Sequence, residues 1–246
     1  MTRGRLLLLG SGEFTPVWDD LDRRILASLP KARPLVAIVP TASGEEETPA
    51  AWADNGIAHF TALGADAVGV MVVRREDAHD PRWEREVRRA DWIYFSGGRP
   101  QHAIGVLEHS PFWRAVLERN REGAVLAGSS AGAMMLGEKS YAPDEFDEQG
   151  YPRSVSIRDG LGVLRGLFVI PHFDLLSGFP PERVNDWIAR WPVGLRGLGI
   201  DEDTAVVEQD GAWRVEGKGR AITMRSFAER EVHAAGTTLD GIVVSN

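Results

Sequence analysis

The sequence predicts an α/β fold in three layers, a mainly parallel sheet with helices on both faces. Five short and almost wholly apolar runs carry this expectation: Leu6–Leu9, Pro34–Val39, Val68–Val73, Trp92–Phe95 and Val125–Ala127. Strands covered on both faces read this way, whereas half-exposed strands alternate apolar with polar residues. Each run gives way to a stretch of helical composition, and that alternation marks parallel pairing through crossover helices. The loops Gly10-Ser11-Gly12-Glu13, Thr41-Ala42-Ser43 and Gly97-Gly98 leave the runs at their carboxyl ends. Sheets of this kind carry their sites at that edge.

In chain order, Leu6–Leu9 is the first strand, and Trp18–Leu29 is a helix closed by Pro30. Pro34–Val39 is the second strand and Pro49–Leu63 a helix that Gly64 ends. Val68–Val73 follows as the third strand, then a charged, exposed helix over Pro81–Arg89. After the fourth strand, Trp92–Phe95, helical segments fill about Gln101–Arg119 with a break near Ser110-Pro111. Val125–Ala127 is the fifth strand.

Beyond Gly137 the pattern changes. Tyr141–Asp159 is polar and reads as a solvated loop carrying Asp144, Glu145, Asp147 and Glu148. Leu161–Ile170 is a strand interrupted by glycines, and Pro181–Trp191 is a helix. Leu198–Ile200 and Thr204–Glu208 are extended, the Asp-Gly of Gln209-Asp210-Gly211-Ala212 makes a hairpin turn, and Trp213–Glu216 and Ala221–Met224 complete the set. These antiparallel additions near the C-terminus are expected to extend the same sheet. No linker, internal repeat or low-complexity tract divides the chain, so residues 1–246 are expected to form a single domain.

The fifth strand leads into Gly128-Ser129-Ser130-Ala131-Gly132, a Gly-x-Ser-x-Gly pattern followed by helix formers. A nucleophile elbow has this form: a sharp strand-to-helix turn that exposes a serine hydroxyl, with glycines where side chains would collide. The pattern also fits a plain small-residue turn, but the strand-turn-helix setting favours Ser130 as a nucleophile.

A serine hydroxyl needs a general base, itself held by a third group. Of the six histidines, His59, His79 and His109 read as surface residues and His233 lies near a charged tail. His172 follows the apolar run Leu167–Ile170 and Pro171, at a strand end, and is the preferred base; His102, close after Gly97-Gly98, is the runner-up. Asp201, Glu202 and Asp203 place three carboxylates at the end of another short strand, where one could orient the histidine. An acyl-transfer oxyanion needs two backbone donors. The amide of Ala131, after the nucleophile, is one, and that of Gly98 is the natural second.

With these residues in view, the chain resembles the peptidase E/cyanophycinase family of serine peptidases. The resemblance rests on Leu8-Leu9-Gly10-Ser11-Gly12-Glu13, Ile38–Ser43, Phe95–Gly98, Ala127–Ala133, Pro171-His172-Phe173 and Gly199–Ala205, in this order and spacing. It implies a class I glutamine amidotransferase-like, flavodoxin-like architecture. It also implies a catalytic serine, a histidine in His-Phe and a glutamate in Gly-Ile-Asp-Glu, which fall on Ser130, His172 and Glu202. The peptidase E branch takes its acid soon after the serine, which would point instead to the Asp144–Asp147 loop; the Gly-Ile-Asp-Glu match favours Glu202. Two departures stand out. Ile170-Pro171 replaces the Asp-Gln that precedes His-Phe in cyanophycinases, and Asp174–Gly178 lacks the arginines that follow it. Their Gly-Gly-Asp-Gln becomes Gly97-Gly98-Arg99-Pro100-Gln101, which leaves Arg99 and Gln101 as candidate substrate contacts and points away from cyanophycin.

Composition bounds the alternatives. The net charge is −8 with no basic cluster, which argues against nucleic-acid binding. Without cysteine there is no disulfide, thiolate metal site or cysteine nucleophile. The four leucines near the start are too short for a signal-peptide core, and no run approaches the length of a membrane helix, so a cytoplasmic protein is expected. The expected activity is hydrolysis of a peptide or isopeptide amide through an acyl-enzyme, on a peptide or amino-acid-derived substrate, without metal or organic cofactor. A homodimer is an expectation from the family alone. One rival is a non-catalytic amidotransferase-like domain that binds a ligand or partner, which would hold His172 Nε2 far from the Ser130 hydroxyl. Another is an esterase or amidase on the same triad, turning over small esters but not peptides.

Overall fold

The structure is a computed structural model, and it describes residues 3–46, 48–146, 148, 152–178, 182, 187, 190, 193–209, 211–226 and 228–245. The first half alternates as expected: β1 (Leu6–Leu9), α1 (Asp19–Ser28), β2 (Leu35–Val39), α2 (Pro49–Ala62), β3 (Asp66–Gly69), α3 (Pro81–Arg89), β4 (Trp92–Phe95), α4 (Pro100–Leu107), α5 (Pro111–Arg121), β5 (Val125–Ser129) and the short α6 (Ala131–Met134). Proline opens α2, α3, α4 and α5, where its missing N–H costs nothing. Asp80 and Ser110 cap α3 and α5, accepting from the amides of Arg82 and Trp113.

The chain then continues through β6 (Lys139–Phe146), β7 (Pro152–Asp159), β8 (Leu164–Arg165), β9 (Leu167–Ile170), β10 (Arg196–Ile200), β11 (Thr204–Gln209), β12 (Ala212–Gly217), β13 (Arg220–Met224), β14 (Arg230–Ala234), β15 (Thr238–Leu239) and β16 (Val243–Val244). Among the described residues the central sheet has eight strands in the order β15-β12-β11-β1-β5-β4-β2-β3. Its β1, β2, β3, β4 and β5 pair in parallel, and β11, β12 and β15 add antiparallel on the far side of β1.

Strict alternation explains why the strands read as all apolar. Leu6 and Leu8 face one core with Ala37, Val39, Ile93 and Phe95, while Leu7 and Leu9 face the other with Val36, Ile38, Trp92 and Tyr94. The first core is closed by Val87 of α3, Ile104 and Leu107 of α4, and Phe112 and Val116 of α5. The second is closed by Leu21 and Ile25 of α1 and Phe60 of α2. Helices therefore cover both faces, which makes the three layers. No helix among the described residues is long and apolar enough to cross a membrane.

Four expectations need correction. The third strand is Asp66–Gly69 rather than Val68–Val73; it ends where its register with β2 ends, at Ile38↔Gly69. Tyr141–Asp159 is not a loop but mostly the antiparallel pair β6–β7, with Tyr141 opposite Ile157. The last third does not simply extend the central sheet: β14-β13-β10-β9 form a separate four-stranded sheet around the cluster Phe168, Ile170, Phe173, Ile222 and Met224. His59 is no surface residue; its side chain is buried, with Nε2 2.7 Å from Asp22 Oδ2. The expected helix over 181–191 lies outside the described residues, apart from isolated positions.

Candidate active site

β5 runs between β1 and β4 and delivers Ser130 at its carboxyl end. Ser130 takes φ 49° and ψ −114°, a conformation that turns strand into helix within one residue. Its amide is tied to the Leu9 carbonyl at 3.0 Å, and its own carbonyl accepts from Ala133 and Met134. The glycines on either side are forced by backbone: a Cβ on Gly128 would overlap the Gly132 carbonyl, and one on Gly132 would lie 2.5 Å from the Phe95 oxygen. Gly-x-Ser-x-Gly is here a statement about three backbones crossing at close range.

His172 and Glu202 reach the serine from the second sheet. β9 and β10 lie parallel, Ile170 beside Gly199, so the residues just past the two strands emerge side by side. His172 Nε2 lies 3.0 Å from Ser130 Oγ, and His172 Nδ1 lies 2.8 Å from Glu202 Oε1. An ionised carboxylate only accepts, so Nδ1 carries the proton and Nε2 is left to accept from the serine hydroxyl. The arrangement can pass the serine proton to imidazole while the carboxylate holds the ring's orientation and steadies its positive charge.

Neither neighbouring acid competes for this role. Asp201 is buried and takes the Arg220 amide and Nε on one oxygen, and Asp203 pairs with Lys218 at 3.0 Å. Glu202 is steered in turn by Asp174, whose Oδ1 accepts the Glu202 amide at 2.9 Å.

Backbone strain gathers here. Among the described residues, five non-glycines have positive φ: Phe14, His109, Ser130, His172 and Asp203. Ser130 and His172 belong to the site, and Asp203 adjoins Glu202. Such conformations cost on the order of 1–3 kcal/mol each and persist where the surroundings impose them.

The Gly97-Gly98 loop lies against the serine; a Cβ on Gly97 would be 3.4 Å from Ser130 Cβ. Gly98 has φ 134°, and a side chain there would run into the Ala42 carbonyl, which already accepts the Arg99 amide at 2.7 Å. The Gly97 amide is donated to Glu13 Oε1 at 2.8 Å, and Glu13 Oε2 accepts the Ser129 hydroxyl at 2.6 Å. Glu13 is 8 % exposed. Burial, then the negative charges of Glu13 and Asp22, hold the Tyr94 phenol protonated far above the usual tyrosine range, opposed by its hydrogen bond with Ser129. Glu13, Ser129 and Asp174 received no role from the sequence. The one available signal was that Glu13 closes a Gly-Ser-Gly-Glu loop leaving the first strand.

The remaining candidates fall as follows. His102 Nε2 is 2.8 Å from the Val73 carbonyl and Nδ1 3.4 Å from Glu45 Oε1, so it holds a loop rather than the serine. His233 is buried against Thr223 at 3.0 Å. Arg99 is exposed, 3.8 Å from Glu45, while Gln101 Nε2 is buried without a hydrogen-bond partner among the described residues. The backbone of Asp144 and Glu145 belongs to β6; their side chains, and Asp147, lie outside the described residues. Among the described residues no three His, Asp or Glu side chains converge as metal ligands.

The sequence profile of peptidase family S51 matches residues 6–215 of this chain. A cyanophycinase of Nostoc sp. (strain PCC 7120 / SAG 25.82 / UTEX 2576) is 30% identical over 221 residues, covering 89% of this chain and 72% of the relative. Among solved structures, a peptidase from an acI-B1 Actinobacterium superposes with a TM-score of 0.83 at 28% identity, over 97% of each chain. A candidate peptidase E protein from Listeria monocytogenes EGD-e superposes at 0.61 and 17% identity, over 88% of this chain and 99% of its own, a likeness of fold alone.

Proposed function

This chain belongs to peptidase family S51 and is a serine-type peptidase, and on that premise we propose that it cleaves a peptide or isopeptide amide through Ser130, His172 and Glu202. Ser130 Oγ attacks the carbonyl carbon while its proton passes to His172 Nε2. The amides of Gly98 and Ala131 receive the oxyanion. Collapse breaks the C–N bond as His172 returns the proton to the leaving amine, and water then hydrolyses the acyl-enzyme by the same steps. The observation that carries this reading is the unbroken relay of 3.0 Å and 2.8 Å from Ser130 through His172 to Glu202.

Substrate recognition is assigned to the loop that departs from the cyanophycinase pattern. Arg99, exposed at the start of α4, offers a cation for a carboxylate, and Gln101 Nε2, which has no hydrogen-bond partner among the described residues, offers a donor. Profiling with a library of α- and β-linked dipeptides and longer peptides tests the proposal. Ser130→Ala and His172→Ala are expected to lose about 10³-fold or more in kcat/KM, and Glu202→Gln about 10²-fold or more. Undiminished cleavage by Ser130→Ala would overturn it.

A further inference from the structure

The carboxylate of Glu13 is buried beneath the catalytic loop and has no role in the relay. Its two oxygens are each used: Oε1 takes the Gly97 amide at 2.8 Å and Oε2 the Ser129 hydroxyl at 2.6 Å. Those partners are the residues just before the two that would supply one oxyanion amide and the nucleophile. Gly97 precedes Gly98, and Ser129 precedes Ser130. Gly97 has no side chain with which to fix its own peptide, and a Cβ on it would meet Glu13 Oε1 at 3.0 Å and Ser130 Cβ at 3.4 Å. The carboxylate therefore fixes the Ser96–Gly97 peptide and the Ala42 carbonyl fixes the Gly98–Arg99 peptide, so the Gly97–Gly98 peptide is held from both sides. Ser129 is tethered in turn by the bond of its hydroxyl to Glu13.

We propose that Glu13 is a positioning residue for the oxyanion site, a buried double acceptor that locks the Gly97-Gly98 loop to the end of β5 so that the Gly98 amide faces the carbonyl attacked by Ser130. A hydrogen bond from a backbone N–H to a carboxylate is charge-assisted and stronger than one to a neutral acceptor. It fixes which way the loop's amides point before substrate arrives, and preorganised donors are what make an oxyanion site effective. The Gly97 amide needs an acceptor here, and the Ser129 hydroxyl a partner of either kind. Glutamine supplies both: its oxygen accepts from Gly97, and its NH₂ donates to the Ser129 oxygen once that hydroxyl turns away. The inference rests on the assignment of Ser130 as nucleophile and Gly98 as an oxyanion donor.

The test is the kinetics of inactivation by a fluorophosphonate, in which the serine oxygen bonds to phosphorus, fluoride leaves and the phosphoryl oxygen takes the oxyanion's place. The maximal rate constant, the half-saturating concentration and the final stoichiometry are measured for wild type, Ser130→Ala, Glu13→Ala, Glu13→Gln and Ser129→Ala. Glu13→Ala is expected to lower the maximal rate constant by about 10-fold or more with half-saturation within about 3-fold, and Glu13→Gln to stay within about 3-fold of wild type. A merely structural role would lower the labelled fraction and leave the rate constant of the folded remainder unchanged, and that result would overturn the inference. If Glu13→Ala does not fold, Ser129→Ala decides: it frees Oε2 and is expected to slow labelling by about 3-fold, and labelling at the wild-type rate would overturn the inference. Wild type unlabelled would sink the nucleophile assignment and this inference with it, whereas wild type labelled and Glu13→Ala equally fast sinks this inference alone.

Discussion

The ring of Phe173 occupies the space that a side chain on Gly199 would need: a Cβ there would lie 2.5 Å from Phe173 Cδ2. The two residues sit on neighbouring strand ends, one beside His172 and the other three before Glu202. Phe173 is 8 % exposed and belongs to the small core beneath the second sheet. The ring thus seats the histidine's backbone against the strand that carries the glutamate. The His-Phe and Gly-Ile-Asp-Glu motifs are two halves of one packing contact.

Gly199→Ala should therefore act on catalysis from a position that touches no substrate. Overpacking of this kind costs about 1–3 kcal/mol in stability. A displacement of His172 by 1 Å or so is expected to lower kcat/KM by about 10²-fold. Denaturant unfolding and turnover of the same variant check both.

The strain at Ser130 predicts a trade between stability and function. Glycine adopts φ 49° without a Cβ penalty. Ser130→Gly is expected to be more stable than Ser130→Ala by about 1 kcal/mol, both being inactive. Chemical denaturation of the two variants measures the difference.

These features differ in how far they could be read from the sequence. The elbow was legible because one of its glycines answers to a contact close in the chain, Gly128 against Gly132 across a single turn, although Gly132 itself faces the Phe95 carbonyl of β4. His172 and Glu202 were legible because an apolar run names its own end. The strand partners were not. Nothing in Leu167–Ile170 or Arg196–Ile200 states that they pair with each other in a second sheet rather than beside β11. Polar Tyr141–Asp159 looked like loop because strands that pair mainly with each other need little apolar surface. His59 looked exposed because the Asp22 that justifies its burial lies in α1, 37 positions earlier. Glu13 escaped notice for the same reason: both its partners are more than 80 residues away.

His102 was the sequence's second choice of base, and its geometry gives it a different task. Its Nε2 bonds the Val73 carbonyl at 2.8 Å, which leaves nothing for the serine. His102→Ala is expected to cost about 1–2 kcal/mol of stability and to keep kcat within about 3-fold of wild type. Comparison of its turnover with that of His172→Ala checks the assignment.

Asp22 makes stability depend on pH. Burial raises its carboxyl above the ordinary value of 3.8, the hydrogen bond and charge of His59 oppose this less strongly, and the charge of Asp19 adds to it. The native state therefore holds this proton more tightly than the unfolded chain does. The stability it contributes is full below pH 3.8 and is lost as pH rises through the folded value. Asp22→Asn keeps a neutral acceptor for His59 and lacks that loss. The stability of Asp22→Asn relative to wild type is expected to be greater at pH 7 than at pH 4, measured by denaturant unfolding; a relative stability that falls over the same interval would contradict the assignment.

Two adjacent serines stand at the end of β5, and only one is armed. Ser129 gives its hydroxyl to Glu13, and Ser130 lies 3.0 Å from His172 Nε2. Mass-spectrometric mapping of the fluorophosphonate adduct on the intact wild-type protein separates them. One phosphonyl group per chain is expected, on Ser130, and none in His172→Ala over the same time. An adduct on Ser129, or labelling of Ser130 at an unchanged rate without His172, would contradict it.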